Sequence, residues 1–272
     1  MIGAQEFFDL KDFTHRELFS ATEGVWTALN TLPDYLETFF KESWPLSGIC
    51  GHIHKPLVIH NRKVREDCHV RATGPKGAMQ AYCKGELINA ASIIMPGAYL
   101  FDDRIIIGSG TVVEPGALIK GPAVFGDNTE IRQSAYVRGD CLVGDGCVVG
   151  HATEIKGSIM LDGAKAGHFA YIGDSILGVK VNLGAGTKLA NLRVIEGTIS
   201  IKSGKERYNT HRRKLGAILG DQTETGCNAV TSPGTLVGQR SIIYPCAVVP
   251  PGYYPGRNHF ISSPSSLRII NK

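Results

Sequence analysis

IGSGTVVEPGALIKGPAVFGDNTEIRQSAYVRGDCLVGDGCVVGHATEI, residues 107–155, keeps time in sixes. Stepping by six from Ile107 gives Val113, Ile119, Phe125, Ile131, Val137, Val143, Val149, Ile155 and, just beyond, Leu161, all apolar. Four residues after each start stand Thr111, Ala117, Ala123, Thr129, Ala135, Cys141, Cys147 and Thr153, all small. Glycine recurs just after a start at Gly108, Gly126, Gly144 and Gly150. A six-residue period of this kind is the signature of a parallel β-helix. Each hexapeptide makes one short strand, with the aliphatic residue pointing inward and the small residue fitting a tight corner. Three strands close a triangular coil of about eighteen residues, and coils stack at the ~4.8 Å strand spacing. On this reading Cys141 and Cys147 are small core residues rather than reactive thiols.

The ruler resumes at Leu219 and runs through Thr225, Thr231, Val237, Ile243 and Val249, and it extends weakly backward to Leu87, Ile93 and Tyr99. It slips after Leu161, because the next inward small slot would be Lys165, and a buried unpaired ammonium is too costly. Restarting at Ala166 restores it through Ile172, Leu177, Leu183 and Leu189, so that two five-residue steps bracket GHFAYIGD. Local departures from a consistent pattern are expected at functional sites. The eighteen-residue coil stacks Lys120, Arg138 and Lys156 in one outward column, which repels itself unless carboxylates or an anion lie among the cations. The next coil is one residue short. His168 therefore falls above His151, with Gln133 below, and His168 and Lys156 are expected on adjacent edges near one corner. A base beside a cationic ladder suits chemistry on a sugar phosphate; a solvated basic edge is the plain alternative.

Bulk composition agrees with a globular chain: 272 residues, 43% apolar, 20% charged, net charge +4 and 33 glycines. The apolar runs fall short of the ~20 residues of a membrane span, and the N-terminal MIGAQEFFDLKDF lacks the basic-then-apolar layout of a signal. The expectation is a cytoplasmic protein with no membrane and no nucleic-acid partner, since the basic residues are scattered. Seven cysteines with no C-x-x-C argue against a disulfide framework and against a structural zinc site.

GHATEIKGSIMLDGAKAGHFAYIGDSILGVKVNLGAGT, residues 150–187, resembles the acetyltransferase half of the bifunctional N-acetylglucosamine-1-phosphate uridylyltransferase/glucosamine-1-phosphate acetyltransferases. The motifs are E-x-K, K-A-G-H-x-x-Y-x-G-D and V-N-x-G-A-G-T, in that family's order and spacing. The following NLR and the later RRKLGAILGD look more like archaeal sugar-1-phosphate nucleotidylyltransferases that carry such a domain. The likeness covers roughly residues 100–255 and is dense over 138–191. It implies an all-β, left-handed parallel β-helix, a homotrimer with each active site between neighbouring helices, and acetyl-CoA as co-substrate with no metal required. It further implies that His168 is the general base and Asn191 positions the amine or thioester. Arg138, Lys156 and Lys214 would hold the sugar phosphate, and Tyr171 and Asn182 would contact the sugar. Gly226, Cys227, Pro245 and Cys246 would lie near coenzyme A.

The family's L-x-A-G-x-G-T-R nucleotidyltransferase segment is missing, and residues 1–86 are too few for that domain, so no uridylyltransferase activity is expected. The bacterial N-Y-D-G is here Asn191-Leu192-Arg193-Val194, a serine near the coenzyme is Cys227, and Arg268 is the candidate to replace a C-terminal arginine. Two other classes stand beside an N-acetyltransferase. One is a non-catalytic β-helix that binds a sugar phosphate or nucleotide sugar, or serves as a scaffold. The other, more remote, is a γ-type carbonic anhydrase, suggested by Arg138-Gly139-Asp140 and the His151/His168 stack. That family needs a His-x-x-x-x-His pair, whereas five past His168 is Gly173 and five past His151 is Lys156.

The remaining segments divide as 1–48, an N-terminal helical cap; 49–86, an irregular β lead-in; 87–255, the β-helix; and 256–272, a tail. Thr14-His-Arg-Glu17 reads as a capping box, and Pro33 as the start of a second amphipathic helix bearing Tyr35, Leu36, Phe39 and Phe40. Plugging the open end of the coil is the simple role for these helices. His52, His54, His60 and His69 alternate with apolar residues and read as surface histidines. The repeat breaks over 193–214, where ISIKSGKERY predicts a hairpin with a Ser-Gly turn; such a basic loop reaches a neighbour's active site, clamps a coenzyme's phosphates or is simply solvated.

Overall fold

A computed structural model of the chain describes residues 2–20, 23–73 and 78–260. Three sheets, parallel except for antiparallel strands at the edge of two of them, form a triangular β-helix, and the chain visits them in a fixed order. Face I has eleven strands and includes Val148–His151 and Lys165–His168. Face II has nine and includes Tyr136–Arg138, Glu154–Lys156 and Tyr171–Gly173. Face III has eight and includes Cys141–Val143, Ser158–Met160 and Ile176–Leu177. The ruler's residues line one apolar tube, from Ile107 through Ile155 and from Ala166 to Val249.

The slip lies one residue earlier than the spacing suggested. Met160, not Leu161, points inward, pairing with Val143 on one side and Leu177 on the other. Leu161 packs outside, against the N-terminal segment. Periodicity could not choose, because face III is buried on both sides and both residues are apolar. The five-residue steps are therefore Ile155 to Met160 and Ile172 to Leu177. Both shorten the corner between faces II and III, and they bring Lys156 and Asp174 there. Val137 pairs with Ile155, eighteen residues on, but Ile155 pairs with Ile172, only seventeen on.

The backward extension is also out by one. Ile94 and Leu100 point inward; Leu87 and Tyr99 are exposed, and Ile93 packs outward under a small antiparallel sheet. That sheet comprises Cys68–Thr73, Ala78–Cys83 and Glu86–Ile88. It contains a disulfide, Cys68–Cys83, between residues that are direct partners across the hairpin. The cysteine count pointed the other way; a hairpin register brings two cysteines fifteen apart face to face, and counting cannot reveal that. Cys141 and Cys147 are buried as expected, and burial pushes both thiols up to about 12.

The N-terminal segment lies along the flank instead of plugging the end. Face III presents a second apolar column outward, Val124, Leu142, Ile159, Ile176, Ile218 and Leu236, and Phe7, Phe8, Trp26, Leu29, Leu32 and Leu36 cover it. Covering such a stripe removes a large apolar patch from water, the dominant favourable term in folding. The open end is closed by Leu46, Ile53, Leu57 and Ile59, with Gly51–His52 and Leu57–His60 pairing antiparallel to the first coil. The α-helix runs Ala28–Glu37 and contains Pro33, because a 3₁₀ turn at Val25–Thr27 feeds directly into it. The capping box does not form: Arg16–Phe19 is a 3₁₀ turn headed by His15, with no side-chain cap.

The insertion is the expected hairpin, Ser200–Ser203 with Glu206–Asn209, turning at Gly204–Lys205. Its inner face is not solvated. Ile199 and Ile201 are buried, with Tyr208 beside them near Trp26.

Candidate active site

Two groups of polar side chains flank face II. The first is at the corner where face I turns into face II. His168 ends its strand there, is exposed, and pairs in register with His151; the two rings stack at 5.5 Å. Phe169 follows with a positive φ of 54° and is 62% exposed, so the corner presents an aromatic ring beside the imidazole. Gly150 permits this close coil stacking: a Cβ there would sit 1.9 Å from the carbonyl oxygen of Gly167.

The same corner continues along the coil axis. The Gly186 N–H donates to the His168 carbonyl, Asn228 N–H to Ala185, and Cys246 N–H to Cys227. Cys227 and Cys246 are free and exposed, and Gly226 packs against Pro245. The four positions assigned to the coenzyme by resemblance thus share one edge with His168, two to three coil steps away, roughly 10–14 Å at the inter-strand spacing. Asn182 is exposed on face I, paired with Lys165.

The second group is at the opposite end of face II. Lys156 pairs with Gly173, two residues further along the strand than the Glu154–Tyr171 pair that adjoins His168's corner. The expectation of one shared corner is therefore corrected: His168 and Lys156 lie at opposite ends of face II, with the strand Tyr171–Gly173 between them. The cations of the ladder are already partnered. Arg138 bonds Glu154 at 2.6 Å, Lys156 bonds Asp174 at 2.8 Å, and Lys120 lies 4.5 Å over the ring of Phe101. The Glu154 hydrogen bond raises Arg138 above an arginine's ordinary value.

Asp174 is the centre of this group. It is 7% exposed and has a positive φ of 46°, a conformation that Asp tolerates better than most residues. Its carboxylate accepts from Lys156, from the Asn191 amide at 2.5 Å and from Arg212 at 3.5 Å. Tyr171 spans the face, its hydroxyl donating to the Asn191 oxygen at 3.3 Å. Gly173 leaves the room: a Cβ there would meet both Tyr171 and Asn191 at 2.7 Å. Arg212 also reaches Asn30 on the α-helix and the carbonyl of Lys214. Burial pulls Arg212 below its ordinary value, with Asp174 opposing. Asn191 thus belongs with Lys156 rather than with His168, and Lys214 is exposed beside them. Arg268 lies outside the described residues.

Asp174, Arg212 and Asn30 were not singled out from the sequence. Asp174 could have been, since the chain shortens by one residue just ahead of it, at the corner where Lys156 sits. Arg212 and Asn30 arrive from an insertion and from a distant helix, which no periodicity connects.

The family model described as the GMPPB C-terminal domain matches residues 119–249. The "Putative uncharacterized acetyltransferase YaiX" of Escherichia coli (strain K12) is 32% identical over 162 residues, 58% of this chain and 70% of that protein. The chain belongs to the hexapeptide-repeat acetyltransferases. Within that family, the bifunctional sugar-1-phosphate nucleotidylyltransferase/acetyltransferase of Sulfurisphaera tokodaii is 43% identical over 96 residues, 35% of this chain. The chain spans only 24% of that relative's length. Among solved structures, the UDP-N-acetylglucosamine acyltransferase from Campylobacter jejuni is 18% identical with a TM-score of 0.34, covering 60% of this chain and 69% of that one. Among the described residues, no helix is long and apolar enough to cross a membrane.

Proposed function

We propose that the chain is an acyl-CoA-dependent N-acetyltransferase acting on an amino-sugar phosphate, with His168 as general base. The observation that carries the reading is the exposed imidazole of His168 at the head of a corner that continues through Cys227 and Cys246. An extended thioester laid along that edge ends at the base. The acceptor's amine attacks the thioester carbonyl, the C–S bond breaks, and His168 takes the amine's proton and returns it to the departing thiolate. Arg138 and Lys156 hold the phosphate across face II by exchanging carboxylate partners for it, and Tyr171 and Asn182 flank the sugar.

His168 lines neither the cavity of about 860 Å³ beside Trp44 and Arg62 nor the basin beside the hairpin. An exposed corner needs a second wall, and a neighbouring copy in a homotrimer supplies it on this reading. Thiol release from acetyl-CoA is the test, run against glucosamine-1-phosphate, galactosamine-1-phosphate and nucleotide-linked amino sugars. One of these acceptors is expected to turn over, and His168→Ala to slow it by about 10²–10⁴-fold, the usual yield of a positioned base. Unchanged turnover in that variant removes the mechanism.

The second reading is a binding or scaffolding subunit. The neutralised pairs Arg138–Glu154 and Lys156–Asp174 favour it, since cations that already have carboxylates are not waiting for a phosphate. Binding of a sugar phosphate with no thiol release from any acceptor is its signature.

A further inference from the structure

The hairpin's inner face packs on the protein; its outer face does not. Lys202 and Arg207 are direct partners across the two strands, both exposed. Like charges placed opposite each other on a hairpin are destabilising. They border a basin of about 470 Å³, whose wall also includes Arg193, Ser200 and Ser232. No carboxylate lines it, and among the described residues none of the three cations meets one in an ion pair. Arg193 donates to the carbonyl of Thr198 at 3.1 Å, and Arg207 to the hydroxyl of Ser200 at 3.4 Å. The nearest acid on the hairpin, Glu206, is taken by the Tyr208 hydroxyl. Part of the basin's lining is apolar, with Val194 fully exposed and Ile195 74% exposed.

We propose that this basin binds a nucleoside diphosphate, its phosphates among Arg193, Lys202 and Arg207 and its base against Val194 and Ile195. Three cations with no acid among them match a diphosphate better than a single phosphate. Exposed β-branched side chains at the rim give a flat base the apolar surface that they otherwise leave in water. The volume is within the range of small-molecule sites. The diphosphate could belong to a free nucleotide or nucleotide sugar, or to the nucleotide end of coenzyme A. The inference does not rest on acyl transfer, because binding is read without turnover.

The test is calorimetric titration of the intact chain with inorganic pyrophosphate, ADP, UDP, coenzyme A and inorganic orthophosphate. Pyrophosphate and at least one of the diphosphate nucleotides should bind once per chain, and orthophosphate more weakly. The double variant Lys202→Gln, Arg207→Gln should weaken that binding by about tenfold, the loss of two exposed charge-assisted contacts. The same variant should melt no earlier than the parent without ligand, since it removes a repulsion, which a merely structural pair would not allow. Loss of coenzyme A binding in parallel assigns the site to the coenzyme's diphosphate; coenzyme A binding that survives assigns it to a separate nucleotide. Absence of diphosphate binding, or affinity unchanged in the double variant, overturns the inference.

Discussion

Replacing Asp174 by Asn keeps the size of the side chain and the positive φ that both residue types tolerate, and removes only the charge. Two cations then lose their counter-ion at once, Lys156 with a side chain 19% exposed and Arg212 with one 17% exposed. Breaking a fully buried pair by deleting one partner costs about 3–5 kcal/mol. The exposure that remains, and the 3.5 Å length of the Arg212 contact, discount this to about 2–3 kcal/mol. In a chain of this size that is a fall in Tm of about 3–5 °C. Differential scanning calorimetry reads the shift, and a cycle with Lys156→Met isolates the pair. The lysine variant should cost less in the Asp174→Asn background than in the parent, because it then removes an unpaired charge. Independent, additive effects, or a loss below ~0.5 kcal/mol for Asp174→Asn, would refute the view that this carboxylate fastens the insertion and the α-helix to the coil.

Two further predictions concern the packing. Gly150→Ala should destabilise strongly, by about 2 kcal/mol or more, because its Cβ meets backbone of the next coil, which has no side chain to move aside; denaturant unfolding measures it, and a near-neutral effect would contradict the tight stacking beneath His168. Alkaline pH should erode stability through Cys141 and Cys147. The unfolded thiols ionise near 9, while the folded ones stay neutral to about 12. Between those values the unfolded state binds fewer protons, so unfolding free energy falls as pH rises, by ~1.4 kcal/mol per pH unit for each thiol. Melting temperatures at pH 8, 9 and 10 should converge for the Cys141→Ala, Cys147→Ala variant and the parent if the parent's steeper decline comes from these groups; equal slopes would remove the argument.

The coil itself was legible because six-residue spacing binds every inward side chain to one tube, and a one-residue error would turn an aliphatic such as Val137 outward. Legibility failed where that constraint relaxes. Met160 and Leu161 are both buried, on opposite sides of face III, so apolarity could not rank them. The same face held an unused signal: Val124, Leu142, Ile159 and Ile176 recur one coil apart at outward positions, which marks a covered flank. For the candidate site, the column of cations was visible in the spacing, and so was the His151/His168 stack. The width of face II between them was not, since it depends on which corner lost the residue. Asp174's further partners, Arg212 and Asn30, come from segments outside the repeat.

The strip of aromatic and aliphatic residues at the N-terminus spans nearly the whole length of the solenoid. Glu37 pairs with Arg104 at one end, while Asp9 and Glu6 reach Asp221 and Tyr253 at the other. A bare stack of coils touches only nearest neighbours and can fray one turn at a time. A strap sewn down the side couples the first turns to the last, so this molecule should melt as a single unit and not peel open from one tip.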